Sequence, residues 1–206
     1  MSLIKSDNPC VKRLALCIGK SAKTIAANKC QYIHVSGGVI ITINGHVMYA
    51  TKTVKIPEGT KDGPYEAEPF FESGEFIPAS PDMALTWRGL VPHALPSTKI
   101  NLTPGKYVEY LKPAKRGHNC IGSLYEYKNN SFVVLGQIEI PEVKLLFQLD
   151  LGYLKPFSDT LVTLHCNPNS FTAGVITPPD KSYTTTFAHD WFMLIMPCKS
   201  TSHLTE

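Results

Sequence analysis

Residues 31–56, QYIHVSGGVIITINGHVMYATKTVKI, constrain the fold more than any other stretch of the chain. Three runs rich in β-branched and aromatic residues are separated by Gly37-Gly38 and by Asn44-Gly45. Asn-Gly between such runs is a strong hairpin signal, because both central residues of a type I′ turn need positive φ and these two tolerate it. The stretch therefore predicts a three-stranded antiparallel meander, with Asn44 and Gly45 at the centre of its second turn.

A helix is expected just before the meander, over 9–27. Asn8 is suited to cap it, and Pro9 to fill the first position, where its missing N–H has no partner to lose. Val11, Leu14, Ala15, Ile18, Ala22, Ile25 and Ala26 recur at three- and four-residue spacing and form one apolar stripe. At 100° per residue Lys12, Arg13, Lys20 and Lys23 fall on the other side. The stretch carries no acid after Asp7, whereas a merely solvated helix usually mixes signs to gain pairs one turn apart.

The net charge of +3 gives no global signal for a polyanion, but its distribution is polarised. Residues 1–57 hold eight Lys and Arg against the single acid Asp7, and residues 58–82 hold seven acids against Lys61 alone. That acidic segment, EGTKDGPYEAEPFFESGEFIPASP over 58–81, reads as a long Pro- and Gly-rich connection with a short strand around Phe70-Phe71. Connections of that length in a compact domain are usually functional or mobile.

Further along, 84–89 reads as a strand and 90–97 as a linker. Thr103 and Pro104 then open a second helix that Pro113 closes. Lys106, Lys112, Lys115, Arg116 and His118 make a second basic locale. Strands are expected at 123–127, 131–140 and 143–149. Asp150 caps a short helix, LGYLKPF, and strands at 161–166, 171–176, 183–187 and 191–196 complete the pattern. Short helices alternating with meanders predict an α+β fold, antiparallel sheets with short helices packed on one face, in two units, 1–97 and 98–206.

Little catalytic chemistry is legible. Six cysteines lie scattered with no C-x-x-C pair, which suits free thiols in a reducing cytosol. His165-Cys166 and His118-Asn119-Cys120 do not amount to a four-ligand zinc set. His189-Asp190 has no nucleophile motif beside it, and there is no phosphate-binding glycine loop. The three threonines 184–186 need no phosphate to explain them. No cofactor, no metal and no catalytic residue are expected. The amino-terminal MSLIKSDNPC has no apolar signal core and no run is long enough to span a bilayer, so a cytoplasmic protein without a membrane partner is expected.

Two patterns resemble the bacterial DNA polymerase sliding clamp, the beta-subunit family. SGGVIITINGHVMYATKTV (36–54) is similar to the family's middle-domain segment, in which a strand runs into Asp-Gly-His-Arg-Leu-Ala. Here Asn44-Gly45-His46-Val47-Met48-Tyr49 takes that place. FQLDLGYLKPFSDTLVTLHC (147–166), with DWFMLIMPCK (190–199), is similar to the family's last half-domain and its closing Met-Pro segment. The chain departs from the pattern at Val47, where the family usually has Arg, and at Asn44, where it has Asp. A bacterial clamp carries three domains, so a viral or phage-type clamp fits this length better.

The resemblance implies a non-catalytic processivity factor of DNA replication, a homo-oligomeric ring whose inner helices present cations to duplex DNA without reading sequence. Lys12, Arg13, Lys20, Lys23, Lys106, Lys112, Lys115 and Arg116 would serve as its DNA-binding residues. It also implies an apolar pocket for peptides of a DNA polymerase and a clamp loader, made here by Gly45, Val47, Met48, Met196 and Pro197. A clamp-like protein-binding inhibitor or decoy that does not encircle DNA is the alternative, and the acidic 58–82 segment would suit it. An unrelated enzyme is the third reading.

Overall fold

A computed structural model describes residues 7–19, 25–96, 98–103, 121–126, 131–134, 138–141, 148–150, 153–154, 157, 159–167, 172–179 and 183–196. The chain divides into two compact units. The first comprises Met1–His93 with Thr185–Leu194, the second Ala94–Thr184 with Ile195–Glu206. Relative to a division at 97/98, residues 185–194 therefore return to the first unit.

The meander is the centre of the first unit. β1 (Ile33–Ser36), β2 (Val39–Ile43) and β3 (Val47–Thr51) are antiparallel neighbours. Gly37 and Gly38 form the first loop at φ 58° and 77°, between the paired Ser36 and Val39. The second turn lies one residue later than the sequence implies. Ile43 pairs with Met48, and the Asn44 N–H donates to Val47 O at 3.1 Å, so Gly45 and His46 are the central residues. Gly45 supplies the positive φ, 87°, at the first of them. Asn44 acts through its side chain instead, where Oδ1 accepts from the N–H groups of His46 and Val47, both at 3.0 Å.

β4 (Gly63–Tyr65) pairs with β1, and β12 (Trp191–Ile195) lies beside β3, giving the order β4-β1-β2-β3-β12 in this unit. All five residues of β2 and of β3 are buried, so both faces of these strands are covered. α1 (Pro9–Leu16) packs on β2 and β3, and inside that contact Thr42 Oγ1 donates to Leu14 O at 2.8 Å. Leu14, Ile40, Ile41 and Tyr49 are fully enclosed, each such side chain contributing about 1.5–3 kcal/mol of burial.

α1 starts as expected. Asn8 Oδ1 accepts from Cys10 N–H at 2.9 Å, with Pro9 at the first position. It ends much earlier than residue 27, at Leu16, because the chain must approach Cys30 closely at Gly19. The Gly19 N–H donates to Cys30 O at 2.8 Å, and a Cβ on Gly19 would sit 2.9 Å from Cys30 Cβ. α2 (Ile25–Lys29) is a separate helix.

The acidic segment is built rather than open. After β4 comes α3 (Ala67–Ser73), not a strand, with Phe70 and Phe71 buried. Gly74 closes it at φ 78°, its N–H donating to Phe70 O in the αL manner, and the Glu75 N–H donates to Pro69 O. The expected strands at 84–89 and 183–187 are likewise replaced, by 3₁₀ turns at Arg88–Leu90 and Thr186–Ala188. Prolines and short polar residues on both sides of these segments oppose strand extension.

In the second unit β5 (Thr98–Leu102), which the sequence reading missed, pairs with β10 (Val162–Cys166), and β10 with β11 (Gly174–Thr177). Gly174 lacks a side chain where a Cβ would stand 3.0 Å from Leu164 Cδ1. Leu154 and Phe157 are buried. β6 (Ile121–Glu126), β7 (Ser131–Val134), β8 (Ile138–Pro141) and β9 (Gln148–Asp150) form a further sheet in the order β8-β7-β6-β9. The second helix expected after Thr103 lies outside the described residues.

Candidate functional site

The cationic face expected of the first helix is narrower than its periodicity suggests. Lys12 is exposed, 3.6 Å from the Asp7 carboxylate. Arg13 does not share that face. It is 7% exposed, with its guanidinium carbon 5.1 Å from the centre of the Trp191 ring. α1 is pressed onto β2 and β3 closely enough to bury Cys10, Val11, Arg13, Leu14 and Ala15, and a cation on that side finds an aromatic face to lie against. Arg13 also hydrogen-bonds the Tyr49 side chain, whose hydroxyl donates to Cys10 Sγ at 3.4 Å. Burial raises the Tyr49 phenol above its ordinary range, so it stays protonated.

Lys20, Lys23, Lys106, Lys112, Lys115 and Arg116 lie outside the described residues, as does Pro197. Three further lysines of the first unit were not singled out in sequence. Lys29 Nζ donates to Ala84 O at 3.0 Å and Lys52 Nζ to Phe187 O, while Lys55 is exposed beside Phe70 and Phe71. Lys52 and Lys55 follow β3 directly, and basic residues spaced three apart after a strand were the available signal.

Of the residues expected to receive a peptide, Gly45 is exposed at the tip of its turn, whereas Val47 and Met48 are each 2% exposed within β3. Their apolar character serves the core of the first unit. Met196 belongs to the second unit and is 47% exposed, just past β12.

Two of the histidines are packed into strands. His34 is buried, its Nε2 3.1 Å from Lys29 O, and loss of hydration lowers its pKa. His165 Nε2 lies 2.9 Å from Thr177 Oγ1 inside the second unit. Cys166 next to it is fully buried, which pushes its thiol up to about 11. Burial likewise raises Cys17 and Cys30. Thiols so placed are poor nucleophiles. Among the described residues no group of three or more His, Cys, Asp or Glu could hold a metal ion, and no helix is long and apolar enough to cross a membrane.

These antiparallel sheets with short helices form the α+β fold of the DNA sliding clamps, and bacterial clamps are among the solved structures that share it. The DNA polymerase sliding clamp of Bacillus subtilis superposes with a TM-score of 0.63 at 10% identity, over 97% of this chain and 66% of that one. DNA polymerase III subunit beta of Borrelia burgdorferi gives 0.58 at 13% identity, over 93% and 61%. The Helicobacter pylori beta clamp bound to a DNA ligase peptide gives 0.57 at 13%, over 93% and 62%. The chain thus spans a little over three-fifths of the length of the clamps it matches. No protein-family model matches the sequence, and no curated protein does.

Proposed function

We infer that this chain is a non-catalytic sliding clamp of DNA replication, a processivity factor that holds duplex DNA without reading its sequence. The observation that carries the reading is the clamp fold itself, which covers nearly the whole chain and takes in both units. A ring would be assembled from copies of the chain. Lys12 is its exposed cation on α1, and Lys20, Lys23 and the second basic locale would supply the rest. Such contacts are made to phosphate and weaken steeply with salt.

Among the described residues assigned to partner peptides of a polymerase or a clamp loader, Met196 is the exposed apolar side chain, and it would take part in docking. The Helicobacter clamp is bound to a ligase peptide, which makes that peptide a usable probe. Replacing Met196 with Ala should weaken the probe and leave DNA affinity unchanged.

A second reading, a clamp-like inhibitor or decoy that binds protein and does not encircle DNA, has two observations behind it. Arg13 is withdrawn from the surface, and an ordered, exposed acidic segment follows the meander. Light scattering with and without nicked circular duplex, at about 50 and 200 mM salt, separates the two. A closed oligomer that associates with DNA at low salt and is retained on circles longer than on linear duplex supports the clamp. A monomer indifferent to DNA at both salts refutes it in favour of the decoy.

A further inference from the structure

A groove of about 690 Å³ lies in the first unit between the turn at 58–62 and the segment 76–84. Its floor is apolar, made by Tyr65, Phe76, Pro78 and Pro81. Tyr65 is 5% exposed and meets Phe76 edge-on, ring centres 5.5 Å apart. The Tyr65 hydroxyl donates to Lys61 O at 2.6 Å, which holds the ring in the floor. The far wall is tied on by backbone, with Tyr65 bridged to Pro78 and Ala79 N–H donating to Pro64 O at 3.0 Å. The trough is therefore preformed, and an occupant would not have to order it.

Its rim is acidic. Glu58 and Asp62 are both exposed, against the one lysine, Lys61, among the residues that line it. Asp62 is held in place because both its carboxylate oxygens accept from Gly37 N–H, at 2.9 and 3.0 Å. Asp82 stands exposed just beyond Pro81. Among the described residues no cation forms an ion pair with Glu58, Asp62 or Asp82.

We propose that this groove binds an extended segment of a partner protein, in which proline and other apolar residues alternate with arginine or lysine. An aromatic and proline floor suits a polyproline-like backbone, which loses little entropy on docking. An arginine stem can lie along Tyr65 and Phe76 while its head reaches Glu58. The same acids repel phosphate, which sets the groove apart from any nucleic-acid face. It shares no residue with Gly45, Val47, Met48, Met196 or Pro197, and its occupation needs neither DNA nor a ring.

The test is fluorescence anisotropy on the full chain, with a labelled peptide of Arg, Pro and Leu and a counterpart carrying Glu for Arg. Saturable binding of the basic peptide alone is expected. E58K should weaken it several-fold at low salt, chiefly through slower association, as changing a rim charge does. A84W, at an exposed lining position, should abolish it by filling the trough. E68K, an exposed change on α3 outside the groove, should leave it unchanged, and unlabelled duplex DNA should not compete. In hydrogen exchange the peptide should protect amides of 63–65 and 76–79. Equal binding of the Glu peptide, equal weakening by E68K and E58K, displacement by DNA, or no saturable binding would each overturn the proposal. If A84W does not fold, E58K against E68K decides it.

Discussion

Arg13→Met separates a structural arginine from a DNA-binding one. Methionine keeps the unbranched stem that packs on α1's buried side and removes the charge. The loss comprises a buried cation–π contact at 5.1 Å from the Trp191 ring, worth about 0.5–2 kcal/mol. It also includes a charge-assisted hydrogen bond to Tyr49, worth about 1.5–3 kcal/mol. Against this, the variant no longer buries a charge, which relieves part of the desolvation penalty. Tyr49 retains Cys10 Sγ as an acceptor, so its hydroxyl is not orphaned. The net expectation is a destabilisation of about 1–3 kcal/mol, below the sum of the two terms because of that relief. At about 2–4 °C per kcal/mol for a chain of this size, the midpoint of a thermal melt should fall by about 2–12 °C. In a DNA titration across salt, R13M should keep the wild-type slope, while K12M should reduce its magnitude by roughly 0.9, one phosphate contact. A wild-type melt for R13M, or a slope reduced as in K12M, would refute the argument that Arg13 works inward.

Three other outcomes follow from the geometry. Thr42→Val removes the buried donor to Leu14 O and should lower stability by about 1 kcal/mol, read as a urea midpoint shift at constant slope; an unmoved midpoint would mean the bond contributes nothing net. Gly74→Ala places a side chain at φ 78° and should cost about 1 kcal/mol, with faster amide exchange in Ala67–Ser73 than in wild type; unchanged protection would show that α3 does not depend on its glycine end. His34, buried chiefly at the expense of hydration, has a folded pKa below its unfolded value near 6.5. The unfolded chain therefore takes up the proton first. Stability is full above about pH 6.5 and is lost as pH falls below it. His34→Gln should make the urea midpoint less sensitive between about pH 8 and pH 5.5, and an identical pH dependence in both proteins would assign the loss elsewhere.

How far the fold could be read follows from which interactions are local. The Gly37-Gly38 loop, the cap at Asn8 and the strand character of 31–56 are set by neighbours in sequence, and they are where the residues place them. Asn44-Gly45 shows the limit of that reasoning. The dipeptide marks the turn, but Asn44's side chain has its own use for two N–H groups, and the centre moves to Gly45 and His46. Arg13 could not be placed by helical periodicity, because its position depends on Trp191, far away in sequence. The same holds for the helix break at Gly19, which is imposed by Cys30. In 58–82, prolines and acids masked a short helix whose only local signature is Phe70-Phe71 followed by Gly74.

The placement of β12 beside β3 has a consequence for synthesis. Residues 1–93 emerge from the ribosome with one flank of β3 unmatched, and the strand that covers it is made about a hundred residues later. Until then that flank is an open template for another chain. A nascent or truncated chain ending before residue 191 should accumulate as aggregates or remain bound to chaperones, and should become soluble when a peptide spanning 185–196 is supplied in trans.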